Sequence, residues 1–170
     1  AHSYSHLYDL PSTGLRFFTA YGPWGRPDMA LFIFTKAAVE NEVIKVNNFG
    51  DHSRDFTYID DIISGICNMI PLSPERNDSI KPNPSQSMAP WQVLNIGRGQ
   101  KVQLMEFIEI IEEYFGKEIK KEFLPLQPGD VAHTYCDTTK LKENFNYEPV
   151  VLVKDGVKRF LDWYVDYYKV

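Results

Sequence analysis

Residues 15–21, Leu-Arg-Phe-Phe-Thr-Ala-Tyr, form a mostly apolar run that is rich in aromatic side chains. Such runs are typical of strands in parallel sheets that are covered on both faces, so we predict a buried strand here. A loop rich in Gly and Pro follows at residues 22–27, and from Asp28 onward the apolar side chains recur at helical spacing. Pro27 and Asp28 suit the first turn of a helix. A strand, a loop and a helix in this order predict an α/β fold.

Similar patterns predict the other elements. We expect strands at residues 43–46, 56–59, 93–96 and 119–124, and helices over residues 59–70, 104–115, 139–145 and 157–168. Five prolines in residues 71–90 predict an irregular surface loop. Residues 1–8 are similar to the last turns of a helix that Pro11 and Gly14 end. These elements do not form the long βαβ series of a complete doubly wound domain, so we predict one compact α/β unit that lacks its own opening sheet.

Composition excludes several classes of protein. The chain has 170 residues, of which 44% are hydrophobic and 24% charged, which is typical of one globular domain with a useful core. The formal charge of −5 gives no electrostatic reason to bind nucleic acid or anionic lipid. The apolar runs are too short to cross a bilayer. The two cysteines, Cys67 and Cys136, form no disulfide or zinc pattern, so we predict a cytoplasmic location.

Three polar segments lie where strands end and helices or turns begin, which is the usual place for ligands in α/β proteins. In residues 19–29, Thr19 ends the apolar strand, and Arg26 precedes a helix whose first N–H groups could bind an anion. The alternative is that Arg26 pairs with Asp28, whose carboxylate could also satisfy the helix terminus.

The second segment, residues 50–61, contains Arg54, which could bind a phosphate through two hydrogen bonds. Its alternative is a surface pair with Asp51, Asp55 or Asp61. The third segment, residues 125–130, displays Gln127 and Asp130 on a rigid turn, which could hold ribose hydroxyls or a base edge, or be only a capped turn. The four histidines are not spaced as metal ligands, and no phosphate loop, nucleophile elbow or GxGxxG turn occurs.

Residues 15–30 (LRFFTAYGPWGRPDMA) and 54–61 (RDFTYIDD) together resemble the nucleotide-sugar epimerases of the extended short-chain dehydrogenase/reductase family. Residues 95–97 (NIG), 126–131 (LQPGDV) and 153–157 (VKDGV) follow in the family's order. The resemblance covers nearly the whole chain apart from residues 71–90. Within the family, these motifs are most similar in sequence to those of the UDP-glucuronate 4-epimerases.

The resemblance implies an α/β chain that is the C-terminal, substrate-binding part of such an epimerase and lacks most of the N-terminal Rossmann sheet. Residues 1–27 would be the tail of the Rossmann portion, and residues 28–170 the portion that binds the sugar nucleotide. The family's Gly-rich turn for NAD and its Tyr-x-x-x-Lys pair are not among these residues, so we assign no catalytic residue to this chain. We expect it to be inactive alone and to need the N-terminal half or a second chain. The resemblance also implies that the intact enzyme could be a homodimer.

The resemblance also implies roles for single residues. Phe18 and Thr19 would lie near the nicotinamide of NAD and the sugar, Arg26 would bind the C6 carboxylate of a uronic acid, and Arg54 would bind the diphosphate. The backbone from Val46 to Phe49 would bind uracil. Gln127 replaces an arginine of some relatives, and Asp130 would support its loop or contact the ribose. The substrate-binding residues expected are therefore Thr19, Arg26, Met29, Val46, Phe49, Arg54, Gln127 and Asp130.

The reaction implied is the interconversion of UDP-glucuronate and UDP-galacturonate. The sugar is oxidised at C4 by bound NAD, the 4-keto intermediate rotates, and hydride returns to the other face. Arg26 and Thr19 favour the uronate over a neutral sugar. The alternatives are another epimerase, a dehydratase or a decarboxylase of the same family, or a non-catalytic module that binds a nucleotide sugar or a protein.

Overall fold

The computed structural model describes all residues from 1 to 170, and its elements confirm the α/β prediction. The helices are α1 His2–Tyr8, α2 Ala30–Glu40, α3 Ile59–Met69, α4 Leu104–Phe115, α5 Thr139–Phe145 and α6 Val153–Tyr168. The strands are β1 Ser12–Phe17, β2 Thr19–Tyr21, β3 Ile44–Val46, β4 Ser53–Arg54, β5 Phe56–Tyr58, β6 Trp91–Ile96, β7 Val102–Gln103 and β8 Lys121–Phe123. A 3₁₀ turn, Asn47–Gly50, joins β3 to β4. None of the helices is both long and apolar enough to cross a membrane.

The strands pair two by two. Strand β1 pairs with β6, β2 with β5, and β3 with β8, all in parallel, whereas β4 and β7 are antiparallel. The paired strands are distant in the sequence. This is expected for parallel strands, because the chain must cross over between them, usually through a helix.

The prediction of one buried strand over residues 15–21 is wrong in two respects. The strand divides at Phe18, whose N–H donates to the Ile96 carbonyl, while the Thr19 N–H donates to the Asp55 carbonyl. The chain thus changes partner from β6 to β5 within the run. Strand β1, which pairs with β6 alone, is also only partly buried, and the Phe17 side chain is 54% exposed.

The apolar side chains form two clusters. The larger one packs α2, α4 and α6 around β2, β3 and β5, and in it the Phe56 ring stacks on Phe107 with 4.2 Å between centroids. The smaller one lies between α3, α5 and β6. Gly156 lets α6 approach β2 closely, since a Cβ atom at this position would lie 2.3 Å from the Tyr21 hydroxyl.

Residues 71–90 contain no helix or named strand, as predicted for an irregular loop. This loop contacts α1 through Arg76, whose guanidinium donates to the Asp9 carboxylate at 2.6 Å and to the His6 carbonyl at 3.1 Å. Since the His6 carbonyl lies in the last turn of α1, Arg76 satisfies one of the acceptors that a helix end leaves free.

Candidate functional site

Two adjoining clefts lie beside the loop at residues 22–29. The first cleft has a volume of about 680 Å³, and its lining includes Thr19, Arg26, Met29 and Arg54. The second cleft has a volume of about 850 Å³, shares Thr19, Met29 and Arg54 with the first, and extends to Asp130. The structure thus brings these five predicted site residues to one continuous groove. Phe18, predicted as a cofactor contact, lines the first cleft as well.

Arg26 pairs with Asp28, as the alternative interpretation had it. Its Nε and Nη2 atoms donate to the two carboxylate oxygens at 3.0 and 2.7 Å. This guanidinium lowers the pKa of the Asp28 carboxyl. Asp28 does not cap the helix, because α2 begins at Ala30 and has no side-chain cap. Both side chains are largely exposed, at 73% and 66%, and such pairs contribute little to stability, so an anion in the first cleft can compete for Arg26.

Arg54 is held at the groove by both ends of its guanidinium. Nη1 donates to the carbonyls of Ser53 and Ala132 at 3.1 and 2.9 Å, and Nη2 donates to the Asp130 carboxylate at 3.1 Å. The proposed pairing with Asp51, Asp55 or Asp61 is therefore wrong, because the partner comes from 76 residues further along the chain. Because Arg26 and Arg54 line the same cleft, the two cations do converge on one hollow.

Asp55, which the sequence offered only as a partner for Arg54, is a fully buried anchor beneath the groove. Its Oδ1 accepts the Arg98 N–H at 2.7 Å and the Thr57 hydroxyl at 3.2 Å, and its Oδ2 accepts the N–H groups of Gly99 and Cys136 at 2.9 and 3.2 Å. A carboxylate that accepts several backbone N–H groups is well satisfied in the interior. Asp55 thereby joins the strand that carries Arg54 to two other segments.

Three predicted binding residues do not line either cleft. Val46 is fully buried, Phe49 is largely exposed, and Gln127 lies on the surface. The backbone around the first two already bonds to Leu124, whose N–H donates to the Val46 carbonyl and whose carbonyl accepts the Phe49 N–H. Lys45 and Asn47, which flank Val46, line the second cleft, so a ligand there meets the predicted stretch at Asn47.

The turn at residues 127–130 is both a capped turn and part of the groove. The Asp130 N–H donates to the Gln127 carbonyl at 3.1 Å, and the Asp130 carboxylate accepts the Val131 N–H at 2.8 Å. Gly129 has φ +85°, which favours glycine. The turn therefore directs the Asp130 carboxylate toward Arg54 and the second cleft.

The second cleft has two polar residues that were not singled out from the sequence, although Asn47 lies in the predicted stretch 46–49 and His52 in the second polar segment. Nε2 of His52 and Oδ1 of Asn47 are buried and have no hydrogen-bond partner, although both residues line the cleft. Buried polar atoms without a partner are uncommon, so both atoms are available to a ligand or to a rearranged neighbour. The search for metal-ligand spacing could not reveal them, since His52 has no second histidine or cysteine close to it in the sequence. No group of three or more His, Cys, Asp or Glu side chains is arranged to hold a metal ion.

Cys136 is not a nucleophile for this groove. Burial, together with the nearby Asp55 carboxylate, raises the pKa of its thiol to about 12. Because the thiolate is the reactive form, the thiol is inert at neutral pH.

Comparison with known proteins identifies the proteins to which the chain is similar. Residues 1–79 match the NAD dependent epimerase/dehydratase family. The chain is 53% identical to Protein CapI of Staphylococcus aureus over 172 residues, which are 99% of this chain and 52% of that protein. It is 42% identical to a probable UDP-glucuronate 4-epimerase of Rhizobium meliloti over 173 residues, which are 99% of this chain and 51% of that protein.

A crystal structure shows the same likeness in three dimensions. The UDP-glucuronic acid 4-epimerase from Bacillus cereus, in complex with UDP-glucuronic acid and NAD, superposes with a TM-score of 0.82 and 32% identity. The match covers 98% of this chain and 49% of that one, so the chain spans about half the length of the relatives it matches. Residues 1–79 thus match the NAD-dependent epimerase/dehydratase family, and the chain as a whole is similar to the C-terminal half of extended short-chain dehydrogenase/reductase epimerases.

Proposed function

We propose that this chain is the substrate-binding half of an NAD-dependent UDP-sugar 4-epimerase that interconverts UDP-glucuronate and UDP-galacturonate. The observation that carries this proposal is the groove itself, in which Thr19, Arg26 and Arg54 line one cleft. The relative of known structure whose complex contains UDP-glucuronic acid supports the choice of substrate. Residues 1–27 would be the tail of the Rossmann portion and would contribute Thr19 and Arg26 to the groove, and residues 28–170 would supply the rest of the site for the nucleotide sugar.

Arg54 is the residue suited to the diphosphate. Its guanidinium is fixed at the groove by two backbone carbonyls, so binding a phosphate costs little side-chain entropy. It lines both clefts, so a diphosphate beside it would direct the nucleoside into the second cleft and the sugar into the first.

Arg26 is suited to the C6 carboxylate of a uronic acid. Its geometry for a carboxylate is visible in the structure, since Asp28 occupies the guanidinium with two parallel hydrogen bonds. A substrate carboxylate in the first cleft would replace Asp28 in an exposed pair of low stability. Thr19 lies in the same cleft and can donate its hydroxyl hydrogen to the sugar.

The residues present fit one edge of a nicotinamide cofactor. Phe17, Phe18 and Thr19 line the first cleft, and the half-exposed Phe17 ring offers a flat apolar surface. When bound, NAD would supply hydride acceptance and return at C4 of the sugar. This chain would orient the sugar against that face and hold its two anionic groups in place. We assign none of its residues to proton transfer, and we propose that the chain alone is inactive.

Titration with UDP, UDP-glucose and UDP-glucuronate, followed by NMR, tests the proposal and tolerates weak binding. We expect Arg54→Leu to lower the affinity for all three ligands by roughly 10- to 100-fold, which is the range for a charge-assisted hydrogen bond. Arg26→Leu should lower the affinity for UDP-glucuronate and leave the affinities for UDP and UDP-glucose unchanged. Arg76→Leu is the matched control, because Arg76 contacts α1 outside both clefts and should leave the affinities unchanged.

Two results would contradict the proposal. If Arg26→Leu weakened UDP and UDP-glucuronate equally, Arg26 would not recognise the uronate carboxylate, and a neutral sugar would be the better substrate. If Arg54→Leu left UDP binding unchanged, the groove would not be a diphosphate site.

A further inference from the structure

The second cleft has no net charge of its own to attract a diphosphate. Its lining contains three cationic and three anionic side chains, which are Lys36, Lys45, Arg54, Asp28, Glu42 and Asp130. The cleft therefore attracts phosphate only where a cation faces it without a competing carboxylate. In the structure, the cation best placed for this purpose, Arg54, is bound to such a carboxylate.

Asp130 lies between two possible partners. Its Oδ1 accepts from Nη2 of Arg54 at 3.1 Å, and its Oδ2 lies 3.8 Å from Nε2 of His52. The second distance is too long for a hydrogen bond, and Nε2 of His52 is buried without any partner. The side chain of His52 is only 7% exposed, so water cannot easily take the place of that partner.

We propose that Asp130 changes partner when a diphosphate enters the groove, and that His52 is the positioning residue that receives its carboxylate. This inference rests on the function proposed above. A phosphate oxygen that binds Nη2 of Arg54 displaces Asp130 and would leave a carboxylate beside a phosphate, which repel each other. Arg54 cannot follow Asp130, because Nη1 is bound to two carbonyls.

The movement required is small. A shift of about 1 Å brings Oδ2 of Asp130 from 3.8 Å to hydrogen-bond distance of Nε2 of His52. Asp130 lies on an exposed turn that contains Gly129, and the turn is free of packing at that glycine. His52 is in contrast fixed, since its backbone bonds to both Gly50 and Leu104. The exchange thus moves the Asp130 carboxylate, and His52 receives it in the tautomer that carries its proton on Nε2.

Binding of inorganic pyrophosphate, UDP and uridine to the chain, measured by NMR titration without divalent cations, tests this exchange. We expect His52→Leu to lower the affinity for pyrophosphate and for UDP by about fivefold to tenfold, which corresponds to one hydrogen bond. The affinity for uridine should not change. His52→Gln should retain most of the affinity, because its amide can still donate to Asp130. In the Asp130→Asn background, His52→Leu should have no further effect.

A spectroscopic measurement on the unaltered chain makes the test independent of how His52→Leu folds. The ¹⁵N resonance of Nε2 of His52 should shift when pyrophosphate binds and should not shift in Asp130→Asn. The exchange would be overturned, and the proposed function left intact, if UDP binding depends on Arg54 while two results are negative. In the wild-type chain the Nε2 resonance would not shift, and His52→Leu would bind pyrophosphate as tightly as the wild type. Equal weakening of uridine would also overturn it, because His52 would then act on the cleft as a whole. Absence of Arg54-dependent UDP binding would overturn the proposed function, and the exchange with it.

Discussion

Replacement of Asp55 by Asn tests whether the buried carboxylate holds the floor of the groove. In the structure, Asp55 accepts four hydrogen bonds, three of them from the backbone N–H groups of Arg98, Gly99 and Cys136. An amide of the same shape keeps one oxygen acceptor and turns the other position into a donor. At least one backbone N–H, and in one orientation two, would then face an NH₂ group with no acceptor.

The size of the effect follows from those unsatisfied donors. Each buried N–H left without a partner costs about 1–3 kcal/mol, so the loss for one or two of them is about 1–6 kcal/mol. Since a domain of this kind has a free energy of unfolding of roughly 5–15 kcal/mol, we expect Asp55→Asn to remove a large share of it. The change should also move the amide resonance of Thr19, whose N–H donates to the Asp55 carbonyl.

Urea unfolding followed by circular dichroism measures this loss. Asp51→Asn is the matched control, because Asp51 is exposed four positions away and its side chain makes no hydrogen bond or ion pair, so its effect should stay within about 0.5 kcal/mol. A loss below about 1 kcal/mol for Asp55→Asn would refute the view that its carboxylate is the common acceptor of these donors.

Three further predictions follow from packing and from pKa shifts. Gly156→Ala should destabilise the fold by about 1–3 kcal/mol, since its Cβ would lie 2.3 Å from the Tyr21 hydroxyl, and Tyr21→Phe should restore part of the loss in thermal unfolding. At pH 8, a thiol reagent should react quickly with the exposed Cys67 and with Cys136 only after unfolding. Burial raises the pKa of Tyr114 to about 12, so this tyrosine should make the protein lose stability as pH rises from about 10 to 12, because the unfolded chain loses its proton first.

Each of these has a result that would contradict it. A Gly156→Ala chain as stable as the wild type would show that α6 can move away from β2 at no cost. Two fast thiols in the native chain would show that Cys136 is accessible. Tyr114→Phe should flatten the fall of stability above pH 10, and an unchanged slope would assign that fall to other groups.

Local features of the fold could be predicted from the sequence. Helical spacing and the prolines of residues 71–90 depend on neighbouring residues, and the structure has α4 over Leu104–Phe115 and no helix or named strand in residues 71–90. The pairing of Arg26 with Asp28 joins residues two positions apart, so it was open to sequence reasoning as an alternative. The roles of Arg26 and Arg54 on one substrate were predicted through the family resemblance, which carries information from other folded chains, and the structure places both residues along one cleft.

The sequence by itself determined the α/β class, the order of most elements and the candidate polar segments, because periodicity and turn chemistry act over a few residues. Only the tertiary structure decided that the strand divides at Phe18, that Arg54 binds Asp130 and that Asp55 joins segments 43 to 81 residues away. It also placed His52 beside Asp130. These contacts depend on which strands pair and in what register, and no short-range pattern in the chain specifies that choice.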